Sequence, residues 1–258
     1  MLIKITKSCH NGCNHCCNEC VPSNEHMSLE TFKDALEFTN KYDSNALYGD
    51  EIAGGEPTEH PQFFEFIDTY YEIMSEFKIL TVATNGHFIL EHPKEIHEYL
   101  EKYPFLFFQV TYDNRYYPKK LDITKRVLRH KRITIVTELE KLTPKGRAIT
   151  NNLKVTDNVM APPCMNVTLG LVQLNSKSLS ELLKTLRRLN INCSPSIQVN
   201  GDIALGEFDS CPAFCSIYDS EETILNAIAN NTFECCPEIM AIFNEKVDSG
   251  QLKMKGTL

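Results

Sequence analysis

Between Leu2 and Leu189 short apolar runs alternate with segments of helical period, and no other feature restricts the fold as much. Strands are predicted at 2–6, 46–52, 79–83, 105–111, 133–138 and 167–174. Helices are predicted at 28–41, from Pro61 through Tyr71, and at 93–103, 120–130 and 178–189. Ser28 is suited to cap the first helix, whose buried stripe is Leu29, Phe32, Leu36 and Phe38 or Thr39. In the second, Phe63, Phe64, Ile67, Tyr70 and Tyr71 recur at helical spacing and are expected in the core. The run Phe105 to Thr111 is almost wholly apolar, as in a strand covered on both faces. Repeated strand–helix alternation implies a parallel sheet with right-handed crossovers. Six units fit a partial (β/α)6 barrel, whose ligands gather at the C-terminal ends of its strands. At 258 residues the chain is one large α/β barrel or one domain with an appendage.

Chemistry-bearing residues fall at those strand ends. Cys9, Cys13 and Cys16 follow the first strand at spacing C-x3-C-x2-C. Three thiolates in one loop can converge on an iron–sulfur cluster. Gly54-Gly55-Glu56-Pro57 follows the second strand; its glycines allow close backbone approach to a ligand, and Glu56 can pair with a cationic amino group. Thr84-Asn85-Gly86 ends the third strand. The chain has 11 cysteines. Its opening, Met1-Leu-Ile-Lys-Ile, reads as a strand and not as a secretory h-region, so these cysteines point to metal or redox chemistry in a reducing cytoplasm.

Together the three motifs resemble the signatures of the radical S-adenosylmethionine (SAM) superfamily. The resemblance implies a [4Fe–4S] cluster on Cys9, Cys13 and Cys16 with one open iron. SAM binds there and is cleaved reductively to a 5′-deoxyadenosyl radical, which abstracts a substrate hydrogen. Gly54, Gly55, Glu56 and Pro57 are implied to hold the methionine amino end, with Thr84 and Asn85 beside them. His15 stands where the family usually has an aromatic residue against the adenine. Gln109, Thr111, Asp113 and Glu138, on the rim after the fourth and fifth strands, are candidate SAM contacts. Lys145-Gly146-Arg147-Ala148 resembles a run found in members with a second cluster, and reads equally well as a surface turn.

The last segment has a different character. Ser196-Ile-Gln-Val, an Asn200-Gly201 turn and Asp202-Ile-Ala-Leu read as a hairpin, and the run from Ile217 to Ile228 looks like the short helix that follows in SPASM and twitch extensions. The spacing Cys193-x12-Gly206-x4-Cys211 resembles the opening of SPASM and twitch extensions, which bind auxiliary [4Fe–4S] clusters. The full SPASM cysteine run is absent, so the resemblance is twitch-like, with a radical-SAM barrel over 1–190 and the extension over 191–258. The implied ligands of a second cluster are Cys193 and Cys211, with Cys215, Cys235, Cys236 and Cys164 competing for the other positions. Four of these thiolates could instead hold zinc, or several could be buried as small hydrophobes. Cys17 and Cys20 are left over, and with Cys13 and Cys16 they could form a zinc knot.

The net charge of −8 does not favour a nucleic-acid backbone as partner. A local basic patch from Lys119 to Arg132 stays open, its other reading being solvated helix faces. No apolar run reaches the ~18 residues of a membrane span. The resemblance implies an oxidoreductase-like enzyme that oxidises or cross-links a peptide or protein, with a flavodoxin or ferredoxin as reductant. A small molecule or nucleoside is the other substrate class. A non-catalytic Fe–S or zinc module for electron transfer is the reading from a different class. No peptide-recognition domain is expected ahead of the first strand.

Overall fold

The computed structural model describes residues 1–11, 18, 20–42, 49–111, 130–136, 154–156, 159–161, 172–174, 195–204, 206, 213–229 and 231–233. Within these, β1 (Leu2–Thr6), β2 (Asp50–Gly54), β3 (Leu80–Thr84), β4 (Leu106–Thr111) and β5 (Ile133–Val136) lie side by side in that order and are parallel throughout. The α/β class and the parallel strand order are those read from the alternation. Among the described residues the sheet is open, with β5 at one edge.

The helices form where the apolar period demanded them. Helix α1 (Leu29–Tyr42) begins at Ser28, whose Oγ accepts the Thr31 amide at 3.0 Å. It buries Phe32, Ala35, Leu36, Phe38 and Thr39. Helix α2 (Phe63–Ile73) starts two residues after Pro61 and buries Phe63, Phe66, Ile67, Tyr70 and Tyr71. The Phe32 and Phe66 rings meet at 4.5 Å between the two helices. A short helix that the period did not reveal, α3 (His87–Glu91), precedes α4 (Pro93–Lys102). Asp68 of α2 accepts bonds from Tyr99, Lys102 and Tyr103, tying α2 to the end of α4. Burial raises the Asp68 carboxyl, but the bonds from Tyr103, Lys102 and Tyr99 outweigh it and hold the group below its usual range.

Side-chain alternation divides the sheet into two faces. Ile3, Ile5, Ile52, Leu80, Val82, Leu106, Phe108 and Val110 join the helices in one core. Lys4 and Gln109 fall on the opposite face, paired in register with Ala53 and Ala83 respectively.

The strand pattern departs from the expected one. Of the sixth predicted strand the described residues form β8 (Val172–Leu174), which pairs antiparallel with β12 (Asn231–Phe233), apart from the main sheet. The sixth parallel strand among the described residues is β9 (Ser196–Ile197), on the other side of β1. A further antiparallel pair, β6 (Lys154–Thr156) with β7 (Val159–Ala161), lies in a stretch for which no strand was predicted. The predicted helices at 120–130 and 178–189 fall outside the described residues, apart from His130.

The Asn200-Gly201 hairpin forms as read. β9 and β10 (Asp202–Ala204) pair antiparallel, and β11 (Ala213–Ser216) adds to β10. Helix α5 (Glu221–Ala229) follows. This hairpin continues the main sheet, and Ile197, Ile203, Cys215, Ile224 and Ile228 belong to the same core. Among the described residues no helix is long and apolar enough to cross a membrane.

His60, buried beside Phe66, joins the chain after the cysteine loop to the head of α2. Its Nε2–H donates to Met27 O at 2.9 Å, and its Nδ1 accepts the Gln62 amide at 3.0 Å. Burial lowers its pKa from the ordinary 6.5, with the bond to Met27 opposing. A depressed histidine contributes stability that is present above 6.5 and lost as pH falls through the folded value. The urea midpoint is therefore expected to drop as pH is lowered below 6.5, and to drop less in His60→Phe. An equally steep drop in the variant would remove His60 as the cause.

Candidate functional site

The ends of β1 and β2 approach more closely than side chains permit. A Cβ on Gly54 would lie 2.2 Å from Thr6 O, and Gly54 has φ +147°. A Cβ on Gly55 would lie 2.2 Å from Ser8 O and 2.7 Å from Lys7 O. The contact is fixed by two hydrogen bonds of 2.7 Å, Gly55 N–H to Thr6 O and Glu56 N–H to Ser8 O. The close approach expected of these glycines is thus made to the backbone just ahead of Cys9.

Glu56 caps a single 3₁₀ turn, Pro57–Glu59, and is only 3% exposed. Its Oε1 accepts from Thr84 Oγ1 at 2.6 Å, Thr58 Oγ1 at 2.7 Å and Thr58 N at 3.3 Å. Its Oε2 accepts from Asn85 N at 2.6 Å. Burial pushes the carboxyl above its usual range, and these donors pull it partway back. The Asn85 side chain accepts the amide of His87, the first residue of α3, at 3.0 Å, while Thr84 Oγ1 accepts the Gly86 amide at 3.0 Å. One carboxylate therefore ties the ends of β2 and β3 together.

Glu59, three residues on and on the same side of a 3₁₀ turn, reaches the cysteine loop instead. Its Oε1 accepts the His10 amide at 2.8 Å. Its Oε2 faces His10 Nδ1 at 2.7 Å and Ser8 Oγ at 3.1 Å. Ser8 Oγ accepts the Ser23 amide at 3.3 Å, and Cys9 N donates to Val21 O at 3.2 Å. The two arms of the loop are joined at this neck, where Cys9 and Cys20 are both half-buried.

A cavity of about 250 Å³ opens here, lined by His10, Asn11, Glu56, Glu59, Asn85 and His87 among others. It brings together Glu56 and Asn85 of the predicted site with the residues that follow Cys9. Pro57 and Thr84 are buried behind it. Gln109 is half-buried on β4, and Thr111 is that strand's last residue. Cys215 sits on β11 opposite Ile203, inside the apolar core. Burial, with Asp219 and Asp202 nearby, pushes its thiol up to about 12. Cys13, His15, Cys16, Asp113, Glu138, Cys164, Cys193, Cys211, Cys235 and Cys236 lie outside the described residues.

Two residues that sequence reasoning missed stand out. Glu59 had a signal, its i+3 spacing from Glu56 on a turn begun by proline. Lys4 had one too, as the lone charge in Leu-Ile-Lys-Ile-Thr, and it is only 2% exposed. Because the Gly55 contact is to backbone, Gly55→Ala is expected to separate the two strand ends and to cost at least about 2 kcal/mol, two hydrogen bonds' worth. Urea denaturation checks this, and unchanged stability would show that the strand ends can part freely.

No protein-family model and no curated protein matches the chain. Among solved structures, BtrN in complex with AdoMet and 2-DOIA superposes with a TM-score of 0.54 at 16% identity, over 96% of this chain and 87% of that one. Native anSMEcpe with bound AdoMet and Kp18Cys peptide superposes with a TM-score of 0.51 at 15% identity, over 90% and 80%. Both are radical SAM enzymes. The chain has the fold of the radical SAM enzymes.

Proposed function

We propose that the chain is a radical SAM enzyme. The observation that carries this reading is Glu56, a buried carboxylate lining a cavity that His10 and Asn11 of the cysteine loop also line. The residues fit the group. An ammonium placed against Glu56 offsets the cost of burying its charge, and the thiol of Cys9 follows directly on the backbone that Gly55 packs against. On this reading Cys9, Cys13 and Cys16 hold the [4Fe–4S] cluster, and Glu56 takes the AdoMet ammonium. When bound, cluster and AdoMet supply a 5′-deoxyadenosyl radical that removes a hydrogen atom from the substrate. Thr58, Thr84 and Asn85 fix the Glu56 carboxylate, and Gly54 and Gly55 set its distance from the loop. Gln109, Thr111, Asp113 and Glu138 are the rim positions we assign to the nucleoside, with His15 beside the adenine.

We favour oxidation or cross-linking of a peptide or protein, with a flavodoxin or ferredoxin as reductant in the cytoplasm. The peptide bound in anSMEcpe supports this. The 2-DOIA complex of BtrN supports a small-molecule substrate as the second reading. We assign a twitch-like second cluster to Cys193 and Cys211, completed from Cys164, Cys235 and Cys236, since Cys215 packs in the core.

Anaerobic reconstitution tests both clusters. About eight irons per chain are expected, falling to about four when Cys9, Cys13 and Cys16 are all changed to Ala. Four falling to none would leave the C-terminal cysteines without a cluster. Failure of the parent to cleave AdoMet under strong reductant would overturn the enzyme reading. Glu56→Gln keeps an acceptor for the threonines but turns an N–H toward Asn85 N–H and removes the charge. It is expected to weaken AdoMet binding at least about tenfold with the iron count unchanged. Equal affinity in an equilibrium titration would remove Glu56 from the ammonium site.

A further inference from the structure

We propose that Glu59 is a positioning residue for the catalytic cluster, clamping the residues on both sides of Cys9 and holding a negative charge that lowers the cluster's reduction potential. The inference rests on the radical SAM reading of Cys9 and goes beyond it, because Glu59 belongs to none of the motifs that suggested it. Ser8 and His10 flank Cys9, and the Glu59 carboxylate accepts from both, through the Ser8 hydroxyl, the His10 amide and His10 Nδ1. Its side chain is 22% exposed and lines the cavity. The base of the clamp is rigid. Glu59 ends the 3₁₀ turn whose first residue, Pro57, follows the buried Glu56, and Glu56 N–H is itself bonded to Ser8 O at 2.7 Å. Ser8 Oγ passes the constraint to the far arm of the loop through the Ser23 amide.

Net charge and nearby hydrogen bonds set the potential of an iron–sulfur cluster. Reduction adds a negative charge, and a fixed carboxylate beside a ligand cysteine opposes it. The clamp and the charge can be separated experimentally. In Glu59→Gln the amide oxygen can still accept the His10 amide. The Ser8 hydroxyl and the His10 ring can reverse roles to accept from the new N–H. The geometry is then kept and the charge is lost. In Glu59→Ala both are lost.

Three readings on the reconstituted chain and its cluster-free form decide the matter. In Glu59→Gln the midpoint of a reductive titration followed by electron paramagnetic resonance is expected to move to more positive potential, with the iron content unchanged. In Glu59→Ala, iron is expected to be lost to a chelator at least about tenfold faster than in the parent. Hydrogen exchange of the His10 amide in the cluster-free chain is expected to speed up in Glu59→Ala but not in Glu59→Gln. An unshifted midpoint in Glu59→Gln, or an unchanged rate of iron loss in Glu59→Ala, would overturn the proposal. Absence of iron from the parent would instead overturn the radical SAM reading, and the exchange measurement would still report on the clamp.

Discussion

Two strand ends held in backbone contact organise this site. Thr6 to Ser8 leave β1 against Gly54 and Gly55 leaving β2, at a separation that excludes a methyl group on either glycine. Glu56, next along the chain, is only 3% exposed at the wall of the cavity, so its carboxylate finds its donors within the protein. Thr58 supplies two from its own turn; Thr84 and the Asn85 amide supply two from the end of β3. Burial of one charge thereby recruits a third strand end, and the Asn85 side chain accepts from the first residue of the next helix. The turn that Glu56 begins then delivers Glu59 to the cysteine loop. Backbone contact, buried carboxylate, strand-end network and loop clamp form one sequence of causes, each requiring the one before.

The sheet beneath this rim separates two tasks by parity. Odd residues of β1 and even residues of β2, β3 and β4 give the helices their apolar contact, from Ile3 and Ile5 to Phe108 and Val110. The intervening positions carry Lys4, Ala53, Ala83 and Gln109, small or polar groups that do not join that core. Only a strand's period of two allows adjacent residues of one segment to serve these different environments. The stability of the scaffold therefore depends on residues that do not face the polar side. The face bearing Lys4 and Gln109 can vary in chemistry while the core stays constant.

Local signals were read well where the physics was local. The stripe of α1 and its Ser28 cap, the aromatics of α2 and the Asn200-Gly201 turn were all visible, because capping, helical period and turn chemistry act within a few residues. Pairing across the chain was not visible. Nothing in Val172–Leu174 specifies Asn231–Phe233 as its partner, and nothing in Ser196–Ile197 specifies the edge of β1. Cys215 was read by residue type as a candidate metal ligand. It is buried because β11 pairs with β10 and turns that position inward, a consequence of pairing that its neighbours in sequence do not encode. For the glycines the sequence implied a close approach but not its object. Only the fold identifies that object as the strand leading into Cys9.

The direction of the Glu56 shift connects fold and function. A carboxyl raised by burial contributes stability below its ordinary 4.5 and loses that contribution as pH rises through the folded value. Ionised in the ligand-free chain, the group lies out of water at a cost that its four donors offset only in part. On the proposed reading a bound ammonium removes the remaining cost. Favourable ligand binding and unfavourable ligand-free burial are then two descriptions of one free energy. A glutamine or methionine in this place would fold with less penalty and would leave a cation nothing to neutralise. The strand ends hold the carboxylate where its burial is costly without a ligand, and on the proposed reading that cost makes the site selective for a positive charge.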